Sequence, residues 1–400
     1  MISVFLYFSR RAMEKFEEEV QELIQTRGLA EAAVTIKAYL DEQKNIPVNI
    51  GITGETGSGK STFVNAFRGL DDRDKGAAPT GVVETTSEVT PYPHPHHPNV
   101  VLWDIPGIGT TNFPADKYQE LVQFEKFDFF IIISATRFRE NDAKLAEEIQ
   151  RMGKKFYFVR SKIDDDVRNE KRGQKSAFNE EQTLNIIREN CIQGVKSKQV
   201  FLVSSVELHL YDFHLLEETL REELPAHKRH ALLLAVPNVS LGIISKKKEA
   251  LQSQIKWQAL ISAGIATVPV PGLSFAADIT LLVGVIIQYQ VSFGLDRYSL
   301  QNLARSADVP LNDLKAVMTS PLAGKKISTE LIIKLLSTSM VGAALLVAEE
   351  GFRFIPLIGI PAAMGLSSMS TYIALDTFLT MLAEDAQSVF KKALGLNTPV

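Results

Sequence analysis

Residues Gly54-Glu55-Thr56-Gly57-Ser58-Gly59-Lys60-Ser61 read G-x-x-x-x-G-K-[ST]; the apolar run Pro47 to Thr53 precedes them and the helical pattern Lys60 to Gly69 follows. Strand, glycine-rich turn, then helix is the order that a phosphate-cradling loop needs. The glycines let successive backbone N–H groups turn inward, and the helix N-terminus adds positive partial charge. Lys60 then reaches the β and γ oxygens of a nucleotide, Ser61 holds Mg²⁺, and Thr62 completes the phosphate-binding set.

Outward from this loop, apolar runs alternate with amphipathic ones. Pro47 to Thr53, Asn99 to Ile105, Asp128 to Ala135, Lys155 to Ser161 and Gln199 to Ser204 each read as a buried strand. Helical patterns at Lys60 to Gly69, Asp142 to Met152 and Glu180 to Cys191 fall between most of them. This alternation predicts an α/β fold with a mostly parallel, doubly wound sheet. Before it, Arg10 to about Lys44 has apolar residues at helical spacing (Phe16, Val20, Leu23, Ile24), so one or two helices end near Pro47. Met1 to Ser9 reads as their first turns, because Arg10 and Arg11 follow the apolar residues, the reverse of a secretory signal. After about Pro225 the strand signal stops. The expected organisation is N-terminal helices over residues 1–45, a nucleotide domain over 46–225, and a helical region over 226–400.

At 400 residues the chain exceeds the usual size of one core. With 45% apolar and 22% charged residues it is globular, and a net charge of −4 gives no basis for a nucleic-acid partner. Cys191 is the single cysteine, which leaves no intrachain disulfide and points to a reducing, cytoplasmic compartment.

The second element, Asp104-Ile105-Pro106-Gly107, stands at the end of a strand. A carboxylate there reaches Mg²⁺ through a water, and the Gly107 N–H touches a γ-phosphate. The third, Ser161-Lys162-Ile163-Asp164, resembles the [N/T]-K-x-D signature that selects guanine. One carboxylate, Asp164, accepts from both N1–H and the exocyclic amine of guanine, whereas adenine offers a lone pair at N1. The stem of Lys162 covers the base. Ser161 in place of Asn or Thr predicts weaker bracing of this loop. Ser204 and Ser205, after the last strand, occupy the loop that closes over guanine O6. All four elements follow strands, at the carboxyl edge where open α/β sheets bind ligands. An ATPase has no need of Lys162 and Asp164 there.

The Gln that orients water in Ras-like hydrolysis is replaced by Ile108, which cannot polarise water, so slow basal turnover is expected unless another group or protein contributes. A stimulated GTPase gains about five powers of ten, or about 7 kcal/mol of barrier. The candidate first switch, Gly76 to Glu88, offers Thr80 as the Mg²⁺ ligand, with Thr86 next and Thr85 also present. Glu84 is the candidate for positioning water, across a dimer.

GETGSGKS at Gly54 to Ser61, GAAPTGVVE at Gly76 to Glu84, WDIPGIG at Trp103 to Gly109, DFFIIISATRF at Asp128 to Phe138 and LPAHKRH at Leu224 to His230 together resemble the interferon-inducible immunity-related GTPases. The resemblance spans about residues 10 to 392 and is most specific over 48 to 235. It implies a Ras-like P-loop domain set on an all-helical domain formed by both chain ends. It also implies GTP and GDP as ligands with Mg²⁺, and self-association through the nucleotide face with mutual activation, as homodimers or homo-oligomers or with related GTPases. Action at intracellular or pathogen-containing membranes follows from the same resemblance, with a cytoplasmic protein held peripherally. Gly59 before the P-loop lysine matches the effector subgroup, where the regulatory subgroup has Met. Ser161 and Ser205 depart from the usual Thr and Asn. The apolar, Pro-containing C-terminal region resembles the less typical, constitutively expressed-like members.

His94, His96 and His97 lie among Pro91, Pro93, Pro95 and Pro98 and read as an extended surface linker before a metal site. Lys246, Lys247 and Lys248, with Lys228 and Arg229, read as a solvated helix face before a lipid contact. Arg137 and Arg139 are set to pair with Glu140 and Asp142. Leu331 to Ala348 and Phe354 to Leu375 each approach the roughly 20 residues that span a bilayer. Lys334, Glu349, Glu350 and Arg353 argue against spanning, and small residues such as Gly342 and Ala362 suit close packing, so a buried helical hairpin with peripheral membrane contact is expected. Three readings stay open: a self-assembling GTP-hydrolysing enzyme, a nucleotide-gated binding module whose hydrolysis is incidental, and an integral membrane protein with a cytosolic GTPase head, which rests on the apolar stretches Leu260 to Ile287, Leu331 to Ala348 and Phe354 to Leu375.

Overall fold

The computed structural model describes residues 2–81, 88–107, 122–136, 140–195, 199–267, 273–337 and 366–396. The chain begins with two helices, α1 (Ile2–Arg27) and α2 (Leu29–Asn45). Gly28 separates them at φ +88°, a left-handed conformation that ends a helix at low cost only for glycine. The first strand, β1 (Val48–Thr53), is buried at every position except the half-buried Asn49. A near-continuous apolar run is what a central parallel strand, covered on both faces, requires.

Around β1 the sheet has the order β2-β3-β1-β4-β5-β6. Its members are β2 (Thr90–Pro93), β3 (Val100–Asp104), β4 (Phe129–Ser134), β5 (Lys155–Arg160) and β6 (Val200–Leu202). Five strands run parallel and β2 is antiparallel to β3. The strand β2 falls in the proline-rich segment that reads as a linker. It stands at the sheet edge, where Pro91 and Pro93, which have no backbone N–H to donate to a further strand, are tolerated. Nor do the histidines form a loose linker. His94 is buried, and its Nδ1 accepts from the N–H groups of His96 and His97 at 3.3 and 3.2 Å, closing the turn into β3.

The described helices of this unit are α3 (Lys60–Phe67), α4 (Glu140–Arg151), α5 (Ile163–Gln174), α6 (Glu180–Val195), α7 (Phe213–Glu223) and α8 (Ala226–Ala235). Between sheet and helices lies an aromatic core: Phe130 meets Phe124 and Phe127 with ring centroids 5.0 and 4.9 Å apart. Cys191 is buried on α6, where burial pushes its thiol pKa up. The chain divides into residues 46–240 and a second unit of residues 1–45 with 241–400. The division falls after Ser240 and not at Pro225, because α8 packs on β1 and β3. Lys228, on α8, pairs with Asp128 at 2.6 Å, and Arg229 donates to the carbonyls of Leu224 and Glu222.

The second unit comprises α1 and α2 with α9 (Leu241–Ala266), α10 (Leu273–Ser292), α11 (Arg297–Ser306), α12 (Leu311–Ala316), α13 (Thr329–Ser337) and α14 (Leu366–Ala393). Phe16 of α1 stacks on Tyr39 of α2 at 3.9 Å and meets Trp257 of α9 at 5.2 Å, so the chain's beginning is a structural part of this unit. Lys247 is buried, and its Nζ donates to Ser292 O at 2.8 Å, on the last turn of α10, where carbonyls lack helical partners. The lysine run is therefore not a uniformly solvated face. One described stretch, Ala277–Ser306, is long and apolar enough to cross a membrane by length and composition, but half of its most apolar window is buried in the fold. It is also broken after Ser292, with Gly294 at φ +63° and Asp296 capping the next helix by accepting from Tyr298 N and Ser299 N. Most of the expected hairpin over Leu331 to Leu375 lies outside the described residues, as do Arg137 and Arg139.

Gly264 of α9 lets α2 approach closely. A Cβ there would lie 2.3 Å from Ala33 Cβ and 2.7 Å from Leu29 O, and one of these neighbours is backbone. Gly264→Ala is therefore expected to destabilise the helical unit by about 1–3 kcal/mol through overpacking. Urea denaturation of the two proteins checks this, and an unchanged midpoint would contradict the close packing of α9 on α2.

Candidate functional site

The parallel strands end together, which brings the loops after β1, β3, β4, β5 and β6 to one edge of the sheet. The first is the glycine-rich loop. Gly54, at φ +139°, has no room for a side chain: a Cβ would lie 2.0 Å from Ile133 O. Gly57 and Gly59 also have positive φ, +77° and +91°, and Gly59 precedes the first residue of α3. Across the loop stands Gly107, where a Cβ would approach Gly54 O to 2.8 Å. Gly54 and Gly107 thus permit close backbone approach, while Gly57 and Gly59 leave open space where side chains would stand. Glu55 is half-buried, Thr56 is exposed and Thr62 is half-buried on α3. Lys60 is buried, with Nζ donating to Gly54 O and Glu55 O, each at 3.0 Å.

Ser61, on the first turn of α3, donates its hydroxyl to Asp104 Oδ2 at 2.8 Å, and both side chains are buried. Two oxygen donors separated by 43 residues thus meet at the mouth of the loop. Beyond them α3 grips the next segment. Asn65, fully buried, pairs with both backbone groups of Ala78, accepting from its N–H at 2.7 Å and donating to its carbonyl at 2.9 Å. Arg68 donates to Gly76 O and Pro93 O, each at 3.1 Å. Thr80 is exposed, two residues past the clamped Ala78. Glu84, Thr85, Thr86 and Ile108 lie outside the described residues.

The loop after β5 is tied to the glycine-rich loop by side chains. Ser161 donates its hydroxyl to Ser58 O at 2.6 Å, and its N–H donates to Ser134 O at 2.9 Å. The short serine side chain does brace the loop, because the Ser58 carbonyl comes close enough to accept its hydroxyl. Lys162, at φ +57°, extends over the same loop and donates Nζ to Gly57 O at 2.9 Å. Asp164 lies in the first turn of α5, its side chain 12% exposed, with Arg168 3.6 Å from its carboxylate. Ser204 is buried and its hydroxyl accepts from Glu207 N at 3.1 Å, while the buried Ser205 Oγ has no hydrogen-bond partner among the described residues.

Sequence reasoning missed Arg160, Asn65 and Arg68. Arg160 is a buried cation that follows the run Phe156 to Val159 at the end of its strand, which was the one available signal. Its guanidinium donates to the carbonyls of Ala135 and Ser161 and pairs with Asp166. Burial raises the Asp166 pKa, and Arg160 opposes that shift.

Ser161→Ala leaves the Ser58 carbonyl without its cross-loop donor, at a cost of about 1–3 kcal/mol for a buried group. Amide hydrogen exchange over Glu55 to Lys60 is expected to quicken about tenfold, the ratio that 1.4 kcal/mol gives. Unchanged protection in that segment would contradict the tie.

A model of the interferon-inducible GTPase family matches residues 13–393. The chain is 42% identical over 382 residues to Interferon-inducible GTPase 5 of Rattus norvegicus, covering 94% of this chain and 82% of that one. It is 38% identical over 389 residues to Interferon-gamma-inducible GTPase 10 of Mus musculus, covering 96% and 90%. With Interferon-inducible GTPase 1 of Mus musculus it shares 41% identity over 331 residues, 80% of each chain. These matches run through both the sheet-bearing unit and the helical unit, and the chain belongs to the interferon-inducible GTPase family.

Proposed function

We propose that the chain binds GTP at the carboxyl edge of its parallel sheet and hydrolyses it to GDP and phosphate. The observation that carries this reading is the meeting of three loops distant in sequence, through Ser61 with Asp104 and Ser161 with Ser58. In this reading the backbone N–H groups of Gly54 to Ser61 and the helix N-terminus of α3 hold the phosphates, with Lys60 supplying a cation and Thr62 completing the set. The Gly107 N–H meets the γ-phosphate. Asp164 selects guanine, Lys162 covers the base, and Ser204 and Ser205 close over O6.

The donor set at the loop's mouth fits Mg²⁺, which takes oxygen ligands in small number and keeps waters. Ser61 and Asp104, with Thr80 from the switch, would hold the ion, which when bound neutralises charge on the phosphate oxygens. Ile108 leaves no side chain to polarise water, so the isolated chain turns over slowly and Glu84 acts on the water when two copies meet. The nucleotide faces of two copies, or of this chain and a related GTPase, would then pack together in the GTP state. Membrane action in cell-autonomous defence would use reversible, peripheral contact by the helical unit.

Replacing Asp164 by Asn converts an acceptor pair into one donor and one acceptor, which matches xanthine at N1 and C2 better than guanine. Competition binding of GDP against XDP is expected to reverse its preference in Asp164→Asn, and retained guanine selectivity would remove Asp164 from the site. Self-activation has a separate signature. Turnover per protomer should climb steeply with protein concentration, in step with dimers seen by sedimentation with a non-hydrolysable GTP analogue. A flat, negligible rate and a monomer at every concentration would favour the nucleotide-gated binding module.

A further inference from the structure

We propose that Arg160 is the positioning residue for base recognition: its buried guanidinium sets the Ser161-Lys162-Ile163-Asp164 loop and so fixes guanine selectivity. This inference rests on the assignment of that loop to guanine. Arg160 ends β5 and is 7% exposed. Its backbone is held on both sides, opposite Ser134 of β4 and Leu202 of β6. Its Nη1 donates to Ala135 O, just past the end of β4, and at 2.7 Å to Ser161 O, inside the recognition loop. Its Nη2 donates to Asp166 on the first turn of α5. One planar group thus joins three segments: the end of a neighbouring strand and the loop through their carbonyls, and the helix that carries Asp164 through the Asp166 carboxylate.

The loop needs such an anchor because its path is tight. Lys162 takes a left-handed conformation, and the next turn starts at once, with the N–H groups of Asp165 and Asp166 both 3.2 Å from Lys162 O. Charge adds a second reason. Asp164, Asp165 and Asp166 are consecutive carboxylates, and Asp164 accepts two hydrogen bonds from guanine only while ionised. The positive end of the α5 dipole helps all three. Arg160 adds a positive charge paired with Asp166, and Arg168 lies beside Asp164 and Asp165, so the three neighbouring carboxylates each have a cation within reach. A lysine keeps the charge but cannot reach three acceptors in a planar fork.

The test uses the full-length chain with a fluorescent GDP analogue displaced by GDP, IDP or ADP. IDP lacks only the exocyclic amine that Asp164 accepts, so the GDP to IDP affinity ratio reports the carboxylate's placement. Arg160→Met and Arg160→Lys are each expected to lower GDP affinity by about tenfold and to bring the ratio down by a similar factor, the scale of a lost charged hydrogen bond. Asp166→Asn, a change at a partly exposed side chain, carries the test if the Arg160 variants do not fold, with a severalfold fall in the same ratio expected. A merely structural Arg160 would lower the melting temperature and leave the ratio at its wild-type value in every folded variant, which would overturn the proposal. Wild-type protein with no preference for GDP over ADP would instead overturn the assignment of the loop to guanine.

Discussion

The structure depends on a steric constraint at β1, the strand at the centre of the sheet. Its carboxyl end must turn against β4 with no side chain in the way, and Gly54 satisfies that: a Cβ there would sit 2.0 Å from the Ile133 carbonyl. Three residues back, Gly51 lies flush against the Phe130 ring, with the same absence of room. Because β1 is flanked by parallel strands on both sides, a shift of its end would move every loop at that edge. The path of the glycine-rich loop is therefore a consequence of how the core packs, and not of the loop alone.

On that foundation the loops are joined by short polar bonds instead of apolar contacts. Ser161 ties the loop after β5 to Ser58, Lys162 reaches Gly57, and Ser61 meets Asp104. Asn65 and Arg68 carry the same logic from α3 to the segment that precedes Thr80. A hydrogen bond holds distance and direction together, so such ties set atoms to the tolerance that ligand recognition needs.

The helical unit follows a different rule. Its interfaces are apolar and aromatic, and small residues such as Gly264 permit close approach. A few buried polar groups sit where helix ends or facing helices leave donors and acceptors to satisfy. Lys247 serves the end of α10, and Ser262 bridges Asp278 and Thr371 at 2.6 and 2.9 Å. Asp385 accepts from Thr319 N and Ser320 N in the same way. Such pairings cost little when satisfied and much when broken, which gives this apolar bundle a defined register.

Much of this was legible in the sequence. Five of the six strands, the mostly parallel sheet, the strand-loop-helix setting of Gly54 to Ser61 and the order of the motifs all follow from local pattern. Periodicity, glycine placement and strand ends are properties of short segments, so they survive without the rest of the chain. The tertiary structure decided what depends on residues far apart. It made the proline-rich Thr90–Pro93 an edge strand and buried His94 in the turn that follows. It also made a helix of the highly polar Ile163–Gln174 and kept Ala226–Ala235 with the sheet. Ser161 and Ser58 are 103 residues apart, and Lys247 and Ser292 are 45 apart. No local pattern records such a pairing, because a buried hydroxyl or ammonium is stabilised by whichever acceptor the fold brings to it.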